Sequence, residues 1–577
     1  MLNALSIYLG VGDPIGRLRA LKSFERQGFV TDESFIWKEG VLDTWVHPSQ
    51  SASDSCSIRM PAGYACCVGP LWYRGHFGGA ALGLLIDEIS EAGHMDEMEL
   101  RGNFALFLHT DRYCVLLNDA LGFVRLYVSP DKLFYSTSWL ATCAYTGHVD
   151  LDETAASEYV LLGASHSDRT VARGITTLPL GHAFDPARKQ TRSRFAANVW
   201  AGGGVPKSFD EAADEADALL RTVFKEIAAA FPGHVRTALS GGFDSRLILA
   251  ALLACGTRPD LFVYGGKGSV DIPIARSVAD NAGITLRVID KNVLNGRLAL
   301  PNIERLVQSA LFFDGLPNDG IYDPGADQQT RKEQTAGECL ALNGGGGEIF
   351  RNFFHLRDRA FYAIDIVRTF YRGFDSRVFR RPAGLNLYED GLVSSIERSV
   401  GMENSAAHQR FGREKVELIY PLFRCHYWMS VNNSVAVRHG YYATPLIDLN
   451  TVRLAHRLPM AWKNAGRLES SLIARLHRGI SNQSSAYGFR FADGPDLRAR
   501  LGEKATCMRP VFARPFINAA RRRLHRAGVA PYMIEHCRSL LPGEWQLDPV
   551  LDLKRLPDDR AFARALAVEI AWREFVA

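Results

Sequence analysis

The pattern of apolar and polar residues changes its period near residue 200. Before this point, GNFALFLHTDRYCVLLNDALGFVRLYVSPDKLFYSTS (residues 102–138) alternates apolar and polar positions between turn-forming residues, which predicts a meander of antiparallel strands. The segment VWAGGGVPKSFD (199–210) is rich in Gly, Pro and Ser, a composition that marks a boundary between domains. We therefore predict an α+β domain over residues 1–200 and a second domain over residues 208–577.

The second domain alternates strand-like and helical patterns. The run FDEAADEADALLRTVFKEIAAAFPG (209–233) predicts an amphipathic helix that stops at Pro-Gly. After it we predict, in order, strand 235–239, helix 246–255, strand 261–264, helix 272–282 and strand 285–289. Asp271 is expected to cap the second of these helices and Gly283 to end it. This alternation indicates a parallel α/β sheet, followed from about residue 300 by a largely helical part.

The stretch SGGFDS (240–245) lies where the first of these strands turns into a helix. Such a turn can hold an anion, because unpaired N–H groups at the helix start point outward and the helix dipole favours negative charge. Gly241 and Gly242 let the backbone approach a phosphate, and Ser240 and Ser245 add hydroxyl donors. Asp244 would repel a phosphate unless a cation lay between them, which points to Mg²⁺. The alternative is a tight Gly-Gly turn with Asp-Ser as an ordinary helix cap.

Two further segments follow in the second domain. NGGGGE (343–348) resembles the first loop in composition, with four glycines that let the backbone approach an anion and one carboxylate, after a short apolar run. Ordering four glycines has a high entropic cost, so an ordered role explains the run better than chance, and a flexible loop is the alternative. RHGYYATPLID (438–448) predicts a buried segment from Tyr441 to Leu446 and a helix cap at Asp448, and core packing is its simplest interpretation.

Composition narrows the function classes. Lys plus Arg total 67 against 63 for Asp plus Glu, a balance that does not favour a nucleic-acid or membrane partner. The ten cysteines show no Cys-x-x-Cys pair and no zinc-type spacing. The start, MLNALSIYLGVGDPIG, has no basic leader followed by a long apolar run. We therefore expect a cytoplasmic protein.

At this point the motifs resemble a known family. SGGFDS matches the pyrophosphate-loop signature of ATP pyrophosphatases, and the order of LSGGFDS, FVYGGKGSVDIPIA, NGGGGE and RHGYYATPLID resembles the synthetase half of class B asparagine synthetases. LRGNFALFLHTDRYCVLLNDALGFVRLYVS resembles their glutaminase half. The resemblance implies an N-terminal-nucleophile sandwich of the class II glutaminase kind, in degenerate form. An α/β domain of the adenine nucleotide alpha hydrolase type would follow it.

The resemblance also implies site residues. ATP would be held by Leu239, Ser240, Gly241, Gly242, Asp244, Ser245, Tyr264 (against the adenosine), Asn343 and Gly344. Asp244 and Glu348 would bind Mg²⁺, and Glu348 stands where the family usually has Asp.

Several departures from the family are informative. Leu2 stands where glutaminases carry the nucleophilic Cys, and we find no Asn-Gly-Glu-type glutamine-binding segment, so the N-terminal domain is expected to be an inactive scaffold. Gly488, before FADG, replaces a Lys that stabilises developing phosphate charge in the family. Gly345 and Ile349 replace acidic residues. Our catalytic candidates are three cations of the surrounding sequence, Lys463, Arg467 and Arg490.

A branch of the family with a dead glutaminase half comprises the lasso peptide cyclases, and NGGGGEIFRNFF and WMSVNNS resemble that branch. The resemblance implies an ATP- and Mg²⁺-dependent ligase that adenylates an Asp or Glu side chain of a precursor peptide. The peptide N-terminal amine then closes the ring, AMP and pyrophosphate are released, and a leader peptidase is the expected partner. The catalytic base is not identified by the sequence.

Other activities remain as alternatives. An ammonia-dependent asparagine synthetase or a β-lactam-type synthetase is the first, a nucleotide-binding scaffold without catalysis the second, and an RNA-modifying pyrophosphatase the third. A basic run would suit an acidic peptide or a partner protein, or form a solvated helix face. Its arginines are Arg509, Arg514, Arg521, Arg522, Arg523 and Arg526.

Overall fold

Strands dominate the first part of the chain. The computed structural model describes residues 1–10, 12–48, 56–196, 198–291, 300–322, 326–402, 409–515, 517 and 528–576. The strands of the first part are β1 (Ala4–Leu9), β2 (Val30–Trp37), β3 (Gly40–Val46), β4 (Ser57–Met60), β5 (Gly63–Val68), β6 (Leu71–Tyr73), β7 (His76–Phe77), β8 (Leu100–Gly102), β9 (Ala105–Thr110), β10 (Cys114–Asn118), β11 (Tyr127–Val128), β12 (Phe134–Ser136), β13 (Thr176–Thr177), β14 (His182–Asp185) and β15 (Gln190–Ser193). Its helices are α1 (Pro14–Arg26), α2 (Gly78–Ala92), α3 (Trp139–Thr146) and α4 (Glu153–Leu162).

These strands form a layered α+β structure. One sheet has the order β13-β11-β12-β1-β3-β2 and a second has the order β15-β14-β10-β9-β5-β4, and their paired strands run antiparallel. Stacked ring pairs join the two sheets, with centroids 4.3 Å apart for Phe35 and Tyr64 and 4.0 Å apart for Tyr135 and Phe184. The predicted strands over 102–138 are confirmed, but they are divided between the two sheets rather than forming one meander.

The chain start is part of this core. Met1 and Leu2 are buried, and Leu2 forms a parallel bridge with Val68 at the end of β5. The position of Leu2 is therefore filled by an apolar side chain packed against the second sheet.

The remainder contains a parallel sheet and many helices. The strands are β16 (Val235–Ala238), β17 (Asp260–Tyr264), β18 (Leu286–Ile289), β19 (Leu340–Leu342) and β20 (Tyr442–Ala443). The helices are α5 (Phe209–Ala230), α6 (Phe243–Ala254), α7 (Asp271–Ala282), α8 (Ile303–Phe312), α9 (Ala326–Thr335), α10 (Ala363–Phe370), α11 (Gly384–Ser399), α12 (Arg413–Ile419), α13 (Ser430–Val437), α14 (Leu449–Arg457), α15 (Met460–Lys463), α16 (Arg467–Leu476), α17 (Arg478–Ser481), α18 (Leu497–Met508), α19 (Pro531–Leu540) and α20 (Asp559–Ala571). A π-helix, Tyr420–Met429, joins α12 to α13.

The sheet has the order β18-β17-β16-β19-β20, and every adjacent pair is parallel. The predicted parallel sheet and the five predicted elements from β16 to β18 are thus confirmed, with bounds shifted by up to three residues. Gly283 ends α7 in a left-handed conformation (φ 63°), and Asp448 caps α14 by accepting the Thr451 N–H at 2.8 Å, as predicted. Both agree with the general roles of Gly and Asp at helix ends.

Four of the predicted basic residues, Arg521, Arg522, Arg523 and Arg526, lie outside the described residues. Arg514 is buried, and its guanidinium donates to the carbonyl oxygens of Phe354, His355 and Thr506. Arg514 therefore connects residues 354–355 to the end of α18 and does not form part of an exposed basic surface.

The two halves are joined by buried polar contacts. The carboxylate of Asp314, which follows α8, accepts hydrogen bonds from Ser138 Oγ (2.6 Å), Trp139 N (2.7 Å) and Leu140 N (3.2 Å) at the start of α3. Because a buried donor without an acceptor is costly, this carboxylate stabilises both the helix start and the junction of the halves.

A second junction is made by Arg125, from the loop between β10 and β11. Its Nε donates to Ser430 Oγ at 2.8 Å, and its Nη2 donates to the Tyr427 carbonyl in the π-helix. Arg125 therefore attaches the first half of the chain to the C-terminal end of the π-helix.

Replacing Asp314 by Ala is expected to lower the free energy of unfolding by about 3 kcal/mol, because three buried donors lose their acceptor. Urea denaturation followed by circular dichroism measures the change. Asp319→Ala is the matched control, since its side chain is 75% exposed and should change the free energy by less than about 0.5 kcal/mol. Equal midpoints for the two variants would contradict the assigned role.

Candidate functional site

The loop between β16 and α6 is held by its own serines. Ser245 Oγ accepts the Ser240 N–H at 3.0 Å and lies 2.9 Å from Ser240 Oγ, while Ser240 Oγ accepts the Gly242 N–H at 3.2 Å. Helix α6 begins at Phe243 after Gly242, and no side chain caps it. The ordinary Asp-Ser cap is therefore not formed, and the first-turn N–H groups are left for another acceptor.

Asp271 has a different role from the one predicted. The residue before α7 is Val270, which makes no side-chain cap, and Asp271 is the first helical residue. Its carboxylate Oδ1 instead accepts the Gly241 N–H at 2.8 Å. The prediction of a cap was wrong because the partner lies 30 residues away in sequence, where a local cap pattern cannot indicate it. Asp271 fixes the 240–245 loop.

The second glycine-rich loop approaches the first very closely. A Cβ on Gly347 would lie 2.1 Å from Asp244 Oδ1, and one on Gly346, which has φ +100°, would lie 2.5 Å from Ile447 Cγ2. A Cβ on Gly344 would be 4.0 Å from the Ser245 backbone nitrogen. The two loops meet at the carboxyl edge of the parallel sheet because glycine leaves room for the approach.

A cluster of charged side chains lies where the loops meet. Arg351 Nη2 is 2.9 and 2.6 Å from the two carboxylate oxygens of Asp244. Arg351 Nε forms an ion pair of 2.8 Å with Glu469 Oε2, and Nη2 lies 3.9 Å from Glu348 Oε1. One guanidinium therefore faces three carboxylates from three separate segments.

Glu348 is also held by neutral donors. Its Oε2 accepts the Gly346 N–H at 3.0 Å and the Tyr420 hydroxyl at 2.5 Å. Tyr420 is the first residue of the π-helix, so this wall of the cluster is attached to the helix that Arg125 holds.

Burial shifts the protonation equilibria of the cluster. Burial raises the pKa of Asp244 to about 6, although the Arg351 guanidinium acts in the opposite direction. Burial likewise raises the pKa of Glu469 well above its usual value, against the opposing effect of Arg351. Burial disfavours the charge on Arg351, but Glu469, Asp244 and Glu348 outweigh it and raise its pKa. The cluster has more acidic than basic groups and favours an additional cation.

Aromatic residues cover the cluster. The Phe243 ring stacks on Phe491 with centroids 4.4 Å apart and lies 4.6 Å from Tyr487, and the Arg351 guanidinium lies 5.2 Å from the Phe243 centroid. The Arg351 Nη1 contacts the Tyr487 hydroxyl at 3.4 Å, and the Ala486 N–H donates to the Gly241 carbonyl at 3.0 Å. The segment around residue 488 is thus fastened directly over the 240–245 loop.

The remaining predicted nucleotide contacts lie around this edge. Leu239 is buried and its N–H donates to the Phe262 carbonyl at 2.7 Å. Tyr264 ends β17 with 37% of its surface exposed, and Lys291 Nζ lies 4.5 Å from its ring centroid. Asn343 Nδ2 donates to Thr444 Oγ1 at 3.3 Å. Their roles toward a nucleotide stay predictions.

The structure does not bring the three catalytic candidates together at the loops. Lys463 is buried and pairs with Glu417 at 2.9 Å. The Arg467 guanidinium stacks over Phe209, 4.2 Å from the ring centroid, and the exposed Arg490 pairs with Asp493 at 2.8 Å. Each of these cations has a partner outside the carboxylate cluster, so their catalytic roles stay predictions.

Arg351 and Glu469 are the cluster residues that the sequence reasoning missed. Arg351 follows Glu348 by three residues in GGGGEIFR, so its charge next to the loop was a usable signal. Glu469 gave no local signal, because it lies in α16 and is brought to the cluster only by packing.

The cluster has donor groups that suit magnesium. Among the described residues, no set of three or more His, Cys, Asp or Glu side chains is arranged to hold a metal ion. Magnesium, however, is usually held by one or two carboxylates together with substrate phosphates. Asp244 and Glu348 supply two carboxylates, and the buried oxygens of Glu469 accept no hydrogen bond within the part of the chain described. The donor set fits Mg²⁺ once Asp244 is released by Arg351.

A cavity of about 320 Å³ opens beside this edge of the sheet. Its charged lining residues are Lys291, Asp319, Asp327, Arg331, Asp559 and Arg560. Its size is at the lower end of the range found for ligand pockets, and its walls carry both signs of charge.

Comparisons with known proteins add little to this geometry. Neither a family model nor a curated protein matches the sequence. A solved structure that matches is the glutamine phosphoribosylpyrophosphate (PRPP) amidotransferase from B. subtilis complexed with ADP and GMP, at 12% sequence identity and a TM-score of 0.21. The match covers 59% of this chain and 75% of that chain. A superposition this loose carries no argument about fold or function.

In the described residues, we also find no helix whose length and apolar content would let it cross a membrane.

Two glycines of the same run give a test of the loop approach. Gly347→Ala is expected to lower the free energy of unfolding by about 2 kcal/mol, because its Cβ would overlap the Asp244 carboxylate. Gly344→Ala should change it by less than about 0.5 kcal/mol, because its Cβ meets ordinary contact distances. Equilibrium urea denaturation of both variants measures the difference. A larger loss for Gly344→Ala would show that the loops do not meet as described.

Proposed function

We propose that this protein is an ATP-dependent amide ligase that forms AMP and closes an isopeptide ring in a peptide. The observation that carries the proposal is the meeting of the 240–245 and 343–347 loops at the carboxyl edge of a parallel sheet, with Asp244 and Glu348 facing the same point. The order of the motifs, which resembles that of asparagine synthetases and lasso peptide cyclases, supports the same activity.

In this proposal the 240–245 loop binds the pyrophosphate part of ATP. Gly241 and Gly242 leave the backbone accessible, and the uncapped start of α6 offers N–H groups and the positive end of the helix dipole. Asp271 and the Ser240–Ser245 pair hold the loop in place before the ligand arrives. Such preorganisation lowers the cost of stabilising charge in the transition state.

The carboxylates have a separate task. Asp244 and Glu348 would hold Mg²⁺, which neutralises charge on the departing pyrophosphate. Tyr420 and the Gly346 N–H orient the Glu348 carboxylate, so its free oxygen Oε1 faces the guanidinium and Asp244. The aromatic cover of Phe243, Tyr487 and Phe491 reduces the access of water, which would hydrolyse an acyl-adenylate.

The amine is proposed to come from the peptide itself. Leu2 is packed against Val68, and an apolar side chain there offers no nucleophile for releasing ammonia from glutamine. The N-terminal domain is thus proposed to be a degenerate glutaminase-like, N-terminal-nucleophile sandwich without glutaminase activity. A leader peptidase is the proposed partner protein.

The mixed-charge cavity supports a peptide as substrate. A volume of about 320 Å³ exceeds what ammonia needs, and a lining with both acidic and basic side chains suits a chain segment that carries both an amine and a carboxylate. Lys291 lines the cavity, and its ammonium group contacts the ring of Tyr264, the residue proposed to meet the adenosine.

The activity is tested by ATP cleavage with Mg²⁺ and a leaderless synthetic peptide that carries a free N-terminal amine and an Asp or Glu. We expect AMP and pyrophosphate, together with a product lighter by one water in mass spectrometry. Asp244→Asn should lower the rate at least about 100-fold, because removing one charged catalytic group costs a few kcal/mol. Asp260→Asn is the control, since Asp260 is 71% exposed and begins β17, at the opposite end of the sheet from the loops.

Other outcomes assign other activities. Turnover of free aspartate with ammonia would show a small-molecule synthetase. If neither the peptide nor aspartate with ammonia leads to AMP formation, the ligase proposal is contradicted.

A further inference from the structure

The guanidinium of Arg351 occupies the position that the cluster offers to a cation. It lies within 3.9 Å of Asp244, Glu348 and Glu469, and its side chain is 18% exposed. A bound divalent cation and this guanidinium would compete for the same Asp244 carboxylate.

Glu469 is ion-paired with one end of Arg351. Its side chain is fully buried and lies 2.8 Å from Nε of Arg351. A fully buried carboxyl group keeps its charge only beside a cation, because an unpaired buried charge costs several kcal/mol. Asp244, by contrast, has 19% of its side chain exposed and lies on the loop itself. Asp244 is therefore the partner that can be exchanged.

The release of Asp244 would leave a guanidinium held in place beside the loop. Nε is ion-paired with Glu469, the planar group lies over the Phe243 ring, and Nη1 contacts the Tyr487 hydroxyl. Nη2, which now contacts Asp244, is the donor set free. A planar fork with fixed orientation suits phosphate oxygens.

The covering segment itself offers no such charge at position 488. Gly488 has φ +84°, and no atom lies within 4 Å of where its Cβ would be. Arg351 contacts the adjacent Tyr487 from below. The positive charge thus reaches this region from the second glycine-rich loop.

We propose that Arg351 is a phosphate-binding residue that holds Asp244 in the nucleotide-free protein and exchanges it for nucleotide phosphate when a divalent cation takes Asp244. This inference rests on the proposed nucleotide site. It assigns to Arg351 both the competition with the metal and the positive charge that position 488 of the covering segment lacks.

The test measures binding rather than turnover, in wild type, Arg351→Gln, Arg351→Lys and Arg188→Gln. Electron paramagnetic resonance measures Mn²⁺ binding without nucleotide, and calorimetry measures binding of α,β-methylene-ATP with Mn²⁺. Arg351→Gln should bind Mn²⁺ alone about tenfold more tightly, because a competing positive charge is gone. The same variant should bind the analogue about tenfold more weakly, because a phosphate donor is gone.

The other variants separate charge from geometry. Arg351→Lys should keep the wild-type Mn²⁺ affinity and lose part of the affinity for the analogue, because a lysine lacks the fork. Arg188→Gln removes an equal charge from the first half of the chain, where Arg188 is 78% exposed and pairs with Asp185, and should change neither affinity. Arg351→Gln/Glu469→Gln leaves no unpaired charge at the buried pair, so it repeats the test if Arg351→Gln folds poorly.

Opposite shifts of the two affinities in one variant cannot arise from partial unfolding, which would weaken both. The proposal is overturned if Arg351→Gln, or the double variant in its place, binds Mn²⁺ no more tightly than wild type, or binds the analogue equally well. Arg351-dependent binding without AMP formation from any substrate would keep this inference and reject the ligase.

Discussion

The site depends on one steric constraint, the approach of two backbone loops to within the distance that only glycine allows. Gly347 passes so close to Asp244 that a Cβ would overlap its carboxylate, and Gly346 has φ +100° beside Ile447. Once the loops meet, Glu348 and Arg351 follow Gly347 along the chain and are carried to Asp244. The charge cluster is therefore a consequence of backbone packing, and its acids are held together against their mutual repulsion by one guanidinium.

The same packing explains which parts were predictable from sequence. The β16–β18 region was recovered because its apolar runs change period between strand and helix, and both loops were found because Gly clusters follow buried strands. What failed involved partners far away in sequence. Asp271 resembles a helix cap locally but bonds to Gly241, and Glu469 has no motif at all.

The positions of the positively charged side chains around the site were also difficult to predict from sequence. Lys463, Arg467 and Arg490 were chosen because they flank the position of Gly488 in sequence, whereas the structure gives each a partner of its own. Arg351 lies more than a hundred residues earlier and reaches Tyr487 through the fold. Nearness in sequence is a weak guide to charge placement wherever several segments converge on one edge of a sheet.

The π-helix Tyr420–Met429 has a further consequence. At one end Tyr420 orients Glu348, and at the other end Arg125 of the N-terminal half binds the Tyr427 carbonyl and Ser430. In the proposed function the N-terminal half performs no reaction, yet it holds the outer side of a wall of the charge cluster. It acts as a strut. In the proposed function, substitutions on the inner face of the N-terminal half are therefore constrained by the geometry of the charge cluster, which they reach through the π-helix.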